Sequence, residues 1–169
     1  MSSSQFSRRH FLTRTTHGAL AIGTTTILLD ATISGLAQAE SEKTAAGLSK
    51  NATPRQVSES YWRAEHERNV EKVGQHYHPD AIFMPPGERL VGWDNIRKWY
   101  EATYRHLSSV KVEIVHEISR GNEASLEWRA FLTDATTSKS LTPIGVNIVR
   151  VEDGKFREVR AYFDSSVLR

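Results

Sequence analysis

The spacing of apolar residues divides the chain into a helical first part and a stranded second part. Val57, Tyr61 and Ala64 share one helical face, and Thr53-Pro54-Arg55-Gln56 ahead of them has the form of a capping box. Asn69 can cap a second short helix carrying Val70, Val73 and Tyr77, which Pro79-Asp80 would end. Ala81 to Met84 reads as a short strand closed by the turn Pro85-Pro86-Gly87-Glu88, with Arg89-Leu90-Val91 returning beside it. A third helix is predicted from Trp93 to Leu107, with Trp93, Ile96, Trp99, Tyr100, Thr103 and Leu107 at helical spacing. Beyond it the period becomes two.

Val110, Val112, Ile114, His116 and Ile118 alternate with polar residues, as do Leu126, Trp128, Ala130 and Leu132 after the turn Arg120 to Glu123. Leu141 to Val151 is a strand interrupted by Pro143 and Gly145. Asp153-Gly154 is a hairpin turn into a last strand from Phe156 to Val167. Helices followed by long strands predict an α+β domain, its helices packed on one antiparallel sheet.

The segment before these elements has a different composition. Ser7-Arg8-Arg9-His10-Phe11-Leu12 is basic, Gly18 to Leu29 is mildly apolar, and Ala37-Gln38-Ala39 offers a small-x-small cleavage site. That order is the layout of an export signal, and the paired arginines resemble the twin-arginine type. Residues 1–39 are therefore expected to be a leader, and the protein to be periplasmic or secreted. Residues 40–52 are polar, small and aperiodic, and are expected to be a disordered lead-in to a domain at residues 53–169.

Cleavage would change the charge balance. The leader holds three Arg and one Asp, so 19 basic and 19 acidic side chains remain of the 22 and 20 in the whole chain. A neutral domain has no cationic field for nucleic acid or anionic lipid. The chain has no Cys, which excludes disulfides, thiol nucleophiles and thiolate metal sites. His76-x-His78 with Asp80 is the remaining metal candidate. Its spacing suits neither a helical nor a closed site, so no metal and no cofactor is expected.

Three segments together resemble a family. They are Tyr77 to Gly87 (YHPDAIFMPPG), Gly92-Trp93-Asp94-Asn95-Ile96, and Gly154 to Asp164 (GKFREVRAYFD). Their order over residues 54–168 is similar to the SnoaL-like branch of the nuclear-transport-factor-2-like superfamily. The resemblance implies a cone-like curved antiparallel sheet wrapped around three N-terminal helices and enclosing an apolar pocket. It also implies a homodimer made through the open face of the sheet. The superfamily holds ketosteroid isomerase, scytalone dehydratase, limonene epoxide hydrolase, polyketide cyclases and non-enzymes, so the fold leaves function open.

The resemblance carries over unevenly. The isomerase's helix tyrosine matches Tyr61, its general base falls on Pro85, and its buried acid falls on Asn147. Proline takes no proton, while Asn147 could still donate a hydrogen bond. The two epoxide-hydrolase aspartates fall on Ala130 and Ala161 and its arginine on Trp128, so that chemistry is missing. His116 resembles the dehydratase's strand histidine, with Tyr61 in the comparable helix region. Strand alternation puts His116 on the face of Val112 and Ile114. His116, Tyr61 and Asn147 are thus the candidate catalytic residues. Phe83, Trp128, Ala130, Ala161 and Phe163 are expected to line a pocket that suits a small apolar molecule and excludes a strongly charged one. Glu65 and His66 are expected to be solvated. Three functions remain open: an acid–base isomerase or dehydratase, a non-catalytic binding domain, and a dimeric assembly module.

Overall fold

The computed structural model describes residues 43–168, and the expected leader with its cleavage site lies outside the described residues. The elements are α1 (Pro54–His66), α2 (Val70–Gly74), β1 (Tyr77–Met84), β2 (Leu90–Val91), α3 (Trp93–His106), β3 (Leu107–Arg120), β4 (Glu123–Asp134), β5 (Ser140–Leu141), β6 (Ile144–Glu152) and β7 (Lys155–Phe163). A 3-10 turn follows at Ser165–Leu168.

Helix α1 starts at a reciprocal cap: the Gln56 amide N–H donates to Thr53 Oγ1 at 3.3 Å and the Thr53 N–H to Gln56 Oε1 at 2.9 Å. It buries Val57, Tyr61, Trp62 and Ala64. Helix α2 is capped by Asn69, whose side chain accepts from the Lys72 N–H at 3.0 Å, but it stops at Gly74. Tyr77 belongs to β1, not to this helix. A Cβ at Gly74 would stand 2.5 Å from the Trp93 ring, and that ring stacks on Tyr77 at 5.8 Å. The close approach directs the chain out of the helix and into the strand. The register of β1 is irregular between Tyr77 and Ile82, which keeps Pro79, with no N–H to give, out of the ladder.

The sheet runs β2-β1-β7-β6-β4-β3, with β5 on β4. It is curved and unclosed, and every pairing is antiparallel except β1 with β7, which is parallel. The expected curved antiparallel sheet is present, with this one parallel pairing added. These two strands lie at opposite ends of the domain's sequence, so no hairpin dictates their direction.

A bulge in β3 reorganises the longest ladder. Ile114 pairs with Trp128, but His116 pairs with Glu127, so β3 carries Val115 as an extra residue. Before the bulge Val110, Val112 and Ile114 face inward. After it the phase inverts: Glu117 and Ser119 pair with buried Leu126 and Ala124, while His116 and Ile118 turn outward. The inverted phase delivers Glu117 to helix α1, where it accepts from Arg55 at 3.1 Å.

From Lys43 onward the lead-in lies against the domain. Lys43 bridges to Ser49, the Gly47 N–H donates to Thr44 O at 2.8 Å, and Leu48 and Ala52 pack against the core. Gly154, at φ +68°, has no Cβ to strike Ser49 O, so the β6–β7 turn lies directly against this segment.

Candidate active site

Helices α1 and α3 and the inner faces of β3, β4, β6 and β7 enclose a cavity of about 90 Å³. Its walls include Tyr61 and Asn147, together with Phe83, Trp128, Ala130, Ala161 and Phe163. Alternation along β4 and β7 places Trp128, Ala130, Ala161 and Phe163 inward, and α3 supplies Trp99, Tyr100 and Thr103.

Asn147 is buried, and its amide has a defined orientation. The Trp128 Nε1–H donates to Asn147 Oδ1 at 2.9 Å. Indole can only donate, so the amide oxygen is committed and the NH₂ remains to serve a ligand. Gly145 makes this arrangement possible. A Cβ there would lie 2.5 Å from Trp128 Cζ2 and 2.6 Å from the Tyr162 carbonyl oxygen.

Three phenols form a buried chain. The Tyr61 and Tyr100 hydroxyls are hydrogen-bonded to each other, and Tyr100 to Tyr77 at 3.1 Å. Burial, the largest cause, raises all three above the ordinary phenol value, so they act as neutral hydroxyls near pH 7.

Glu65 lies one turn beyond Tyr61 on α1 and forms part of the cavity wall. It is partly buried, which corrects the expectation that it is solvated. Removal from water raises its carboxyl to about 7, against an opposing pull from the Tyr61 hydroxyl. It therefore exchanges a proton near neutrality. It is also the only charged residue among the described residues that line the cavity. The spacing Tyr61 to Glu65 was the available signal in the sequence, because residues four apart share a helix face.

His116 is not part of this site. The β3 bulge leaves it exposed on the outer face, opposite Glu127. The reading of His116 as the base assumed unbroken alternation, and the extra residue breaks it. His66 is exposed, with Nδ1 2.7 Å from Val110 O. His76 is buried, with Nδ1 2.9 Å from Lys72 O and Nε2 2.9 Å from Ser60 Oγ. His78 Nε2 is 2.8 Å from Glu152 O. The two histidines of the metal candidate thus hold α2 and β1 in place.

The sequence matches the model of the SnoaL-like domain over residues 58–159. The chain belongs to the SnoaL-like domain family. A comparison with curated proteins found no significant match. Several solved structures share the SnoaL-like fold. A protein of ketosteroid isomerase-like fold from Catenulispora acidiphila, in complex with trimethylamine, is 16% identical with a TM-score of 0.62, over 69% of this chain and 91% of that one. TerC co-crystallised with polyporic acid is 16% identical with a TM-score of 0.59, over 66% of this chain and 92% of that one. An epoxide hydrolase of M. tuberculosis resembling limonene epoxide hydrolase is 17% identical with a TM-score of 0.56, over 66% of this chain and 83% of that one.

Proposed function

We propose that this chain is a small-molecule pocket protein that performs acid–base catalysis. It acts as an isomerase or dehydratase on an apolar substrate bearing a carbonyl or hydroxyl group. The observation that carries this reading is Glu65, a carboxyl held near pKa 7 in the wall of an apolar cavity. A group with that value accepts and returns a proton with little cost at neutral pH. The Asn147 NH₂ serves the substrate oxygen. The Tyr61 hydroxyl, one turn away on α1, favours the ionised form of Glu65.

Small-molecule binding agrees with the ligands of the two solved relatives, polyporic acid in TerC and trimethylamine in the Catenulispora protein. The test is a ligand carried through purification and identified by mass spectrometry, followed by turnover against pH. A limb near pH 7 that disappears in Glu65→Gln, with binding retained, supports the reading. Turnover unaffected by that substitution overturns it. A second reading, binding without catalysis, rests on the tyrosine hydroxyls being bonded to one another. Tight binding with no turnover would select it.

The same proposal includes export through the twin-arginine leader and assembly as a homodimer. Arg8→Lys with Arg9→Lys is then expected to leave the precursor in the cytoplasm. Dimerisation is supported by exposed apolar residues on the outer face of the sheet, among them Phe131, Ile144, Ile148 and Tyr162.

A further inference from the structure

The cavity has an electrostatic sign. Seven of its seventeen lining residues are aromatic, including the indoles of Trp62, Trp99 and Trp128. Phe83 stacks on Tyr100 at 5.9 Å and 7°, and Trp99 meets Phe83 edge-on at 4.9 Å. Aromatic faces carry negative quadrupole density and attract cations. Glu65 adds a full negative charge when ionised.

The donors available to a ligand are few and neutral: the Asn147 NH₂, the Thr103 hydroxyl and the indole N–H groups of Trp62 and Trp99. The two bonds of the Tyr77–Tyr100–Tyr61 chain commit two of its three hydroxyl protons, and the Tyr61 hydroxyl favours the ionised form of Glu65. An enolate formed as Glu65 takes a proton would meet a neutral acid, aromatic faces and only these few neutral donors. Positive charge on the substrate would meet rings and a carboxylate.

Resting on the acid–base reading above, we infer that reaction in this cavity passes through positive charge on the substrate. The substrate class is then a tertiary, allylic or benzylic alcohol that loses water. Protonated Glu65 gives its proton to the hydroxyl oxygen. The C–O bond breaks, its electron pair leaves with oxygen as water, and the carbocation rests among the rings beside the new carboxylate. That carboxylate then takes a proton from the adjacent carbon, the C–H pair becomes the C=C bond, and Glu65 is restored. The cavity of about 90 Å³ holds the reacting end. A groove of about 600 Å³ between α1 and β3 shares Trp62 and Val112 with it.

Three molecules matched in shape but not in charge test this: choline, 3,3-dimethylbutan-1-ol and 3,3-dimethylbutanoate. Their affinities are measured by calorimetry at about pH 8, where Glu65 is ionised. Choline is expected to bind at least about tenfold more tightly than the alcohol, with the carboxylate weakest. Glu65→Gln is expected to bring choline and the alcohol within about threefold of each other, and Trp99→Leu to reduce the preference part of the way. A melting curve confirms that each variant is folded. Equal or tighter binding of the alcohol, tightest binding of the carboxylate, or no binding of any of the three at tens of millimolar overturns the inference. A pH–rate limb that still depends on Glu65 would then leave acid–base catalysis standing without the cationic route. Loss of that dependence would remove the parent reading as well.

Discussion

Replacing Glu65 by Gln keeps the shape of the side chain and removes its charge, and it is expected to stabilise the protein above neutral pH. The folded carboxyl sits at about 7 and the unfolded one at its ordinary 4.5. The folded state therefore binds more protons between these values, and ionising Glu65 costs stability. The penalty is absent below about pH 4.5, grows through the window up to about 7 and is complete above it. The difference between these two values sets a ceiling of about 3.4 kcal/mol. Partial exposure of the side chain screens the charge, so the expected gain at pH 8 is about 1–2 kcal/mol. For a domain of this size that raises the melting temperature by about 4–8 °C. The assay is thermal unfolding of both proteins from about pH 4.5 to 8, read as the difference between them. The difference removes the opposite contribution of His76, whose lowered value favours stability as pH rises through about 6.5. Asp134 and Asp164, both depressed below 3.8, lose their contribution only at more acid pH. A Glu65→Gln protein no more stable than the parent at pH 8 would refute the reasoning.

Gly145→Ala is expected to cost about 2–3 kcal/mol and to shift tryptophan fluorescence, because its Cβ must displace the Trp128 ring or the Tyr162 carbonyl. His116→Ala, on the outer face, is expected to leave both melting temperature within about 0.5 kcal/mol equivalent and turnover unchanged. His76→Gln is expected to flatten the loss of stability below about pH 6.5, since a buried ring bonded to Lys72 O and Ser60 must otherwise be protonated in the unfolded state. Ile144→Glu, at a residue 62% exposed beside Ile148 on the sheet's outer face, is expected to convert a dimer to a monomer in sedimentation without lowering the monomer's stability.

Much of the fold was legible because period and punctuation agree. The Thr53–Gln56 box, the Trp93 to His106 face and the Asp153-Gly154 turn each set a boundary by local chemistry. Alternation along β4 and β7 sufficed to turn Trp128, Ala130, Ala161 and Phe163 toward one interior. What was not legible came from contacts distant in sequence. The parallel β1–β7 pairing depends on strands that no hairpin joins. The lead-in lies against the Gly154 turn about a hundred residues later, a contact its composition does not show. The β3 bulge inverts the phase at a single residue, which strict alternation cannot show, and it removes His116 while bringing Glu117 to Arg55. Glu65 was missed for a related reason. A charged residue on a helix reads as solvated unless the partner surface is known, and here that surface is an aromatic cavity.

The central claim is that Glu65 exchanges a proton near neutrality inside the cavity. A carbon-13 NMR titration of its side-chain carboxyl, assigned by comparison with Glu65→Gln, tests it most directly. A midpoint at about 7 is expected. A midpoint near the ordinary 4.5 would contradict the claim.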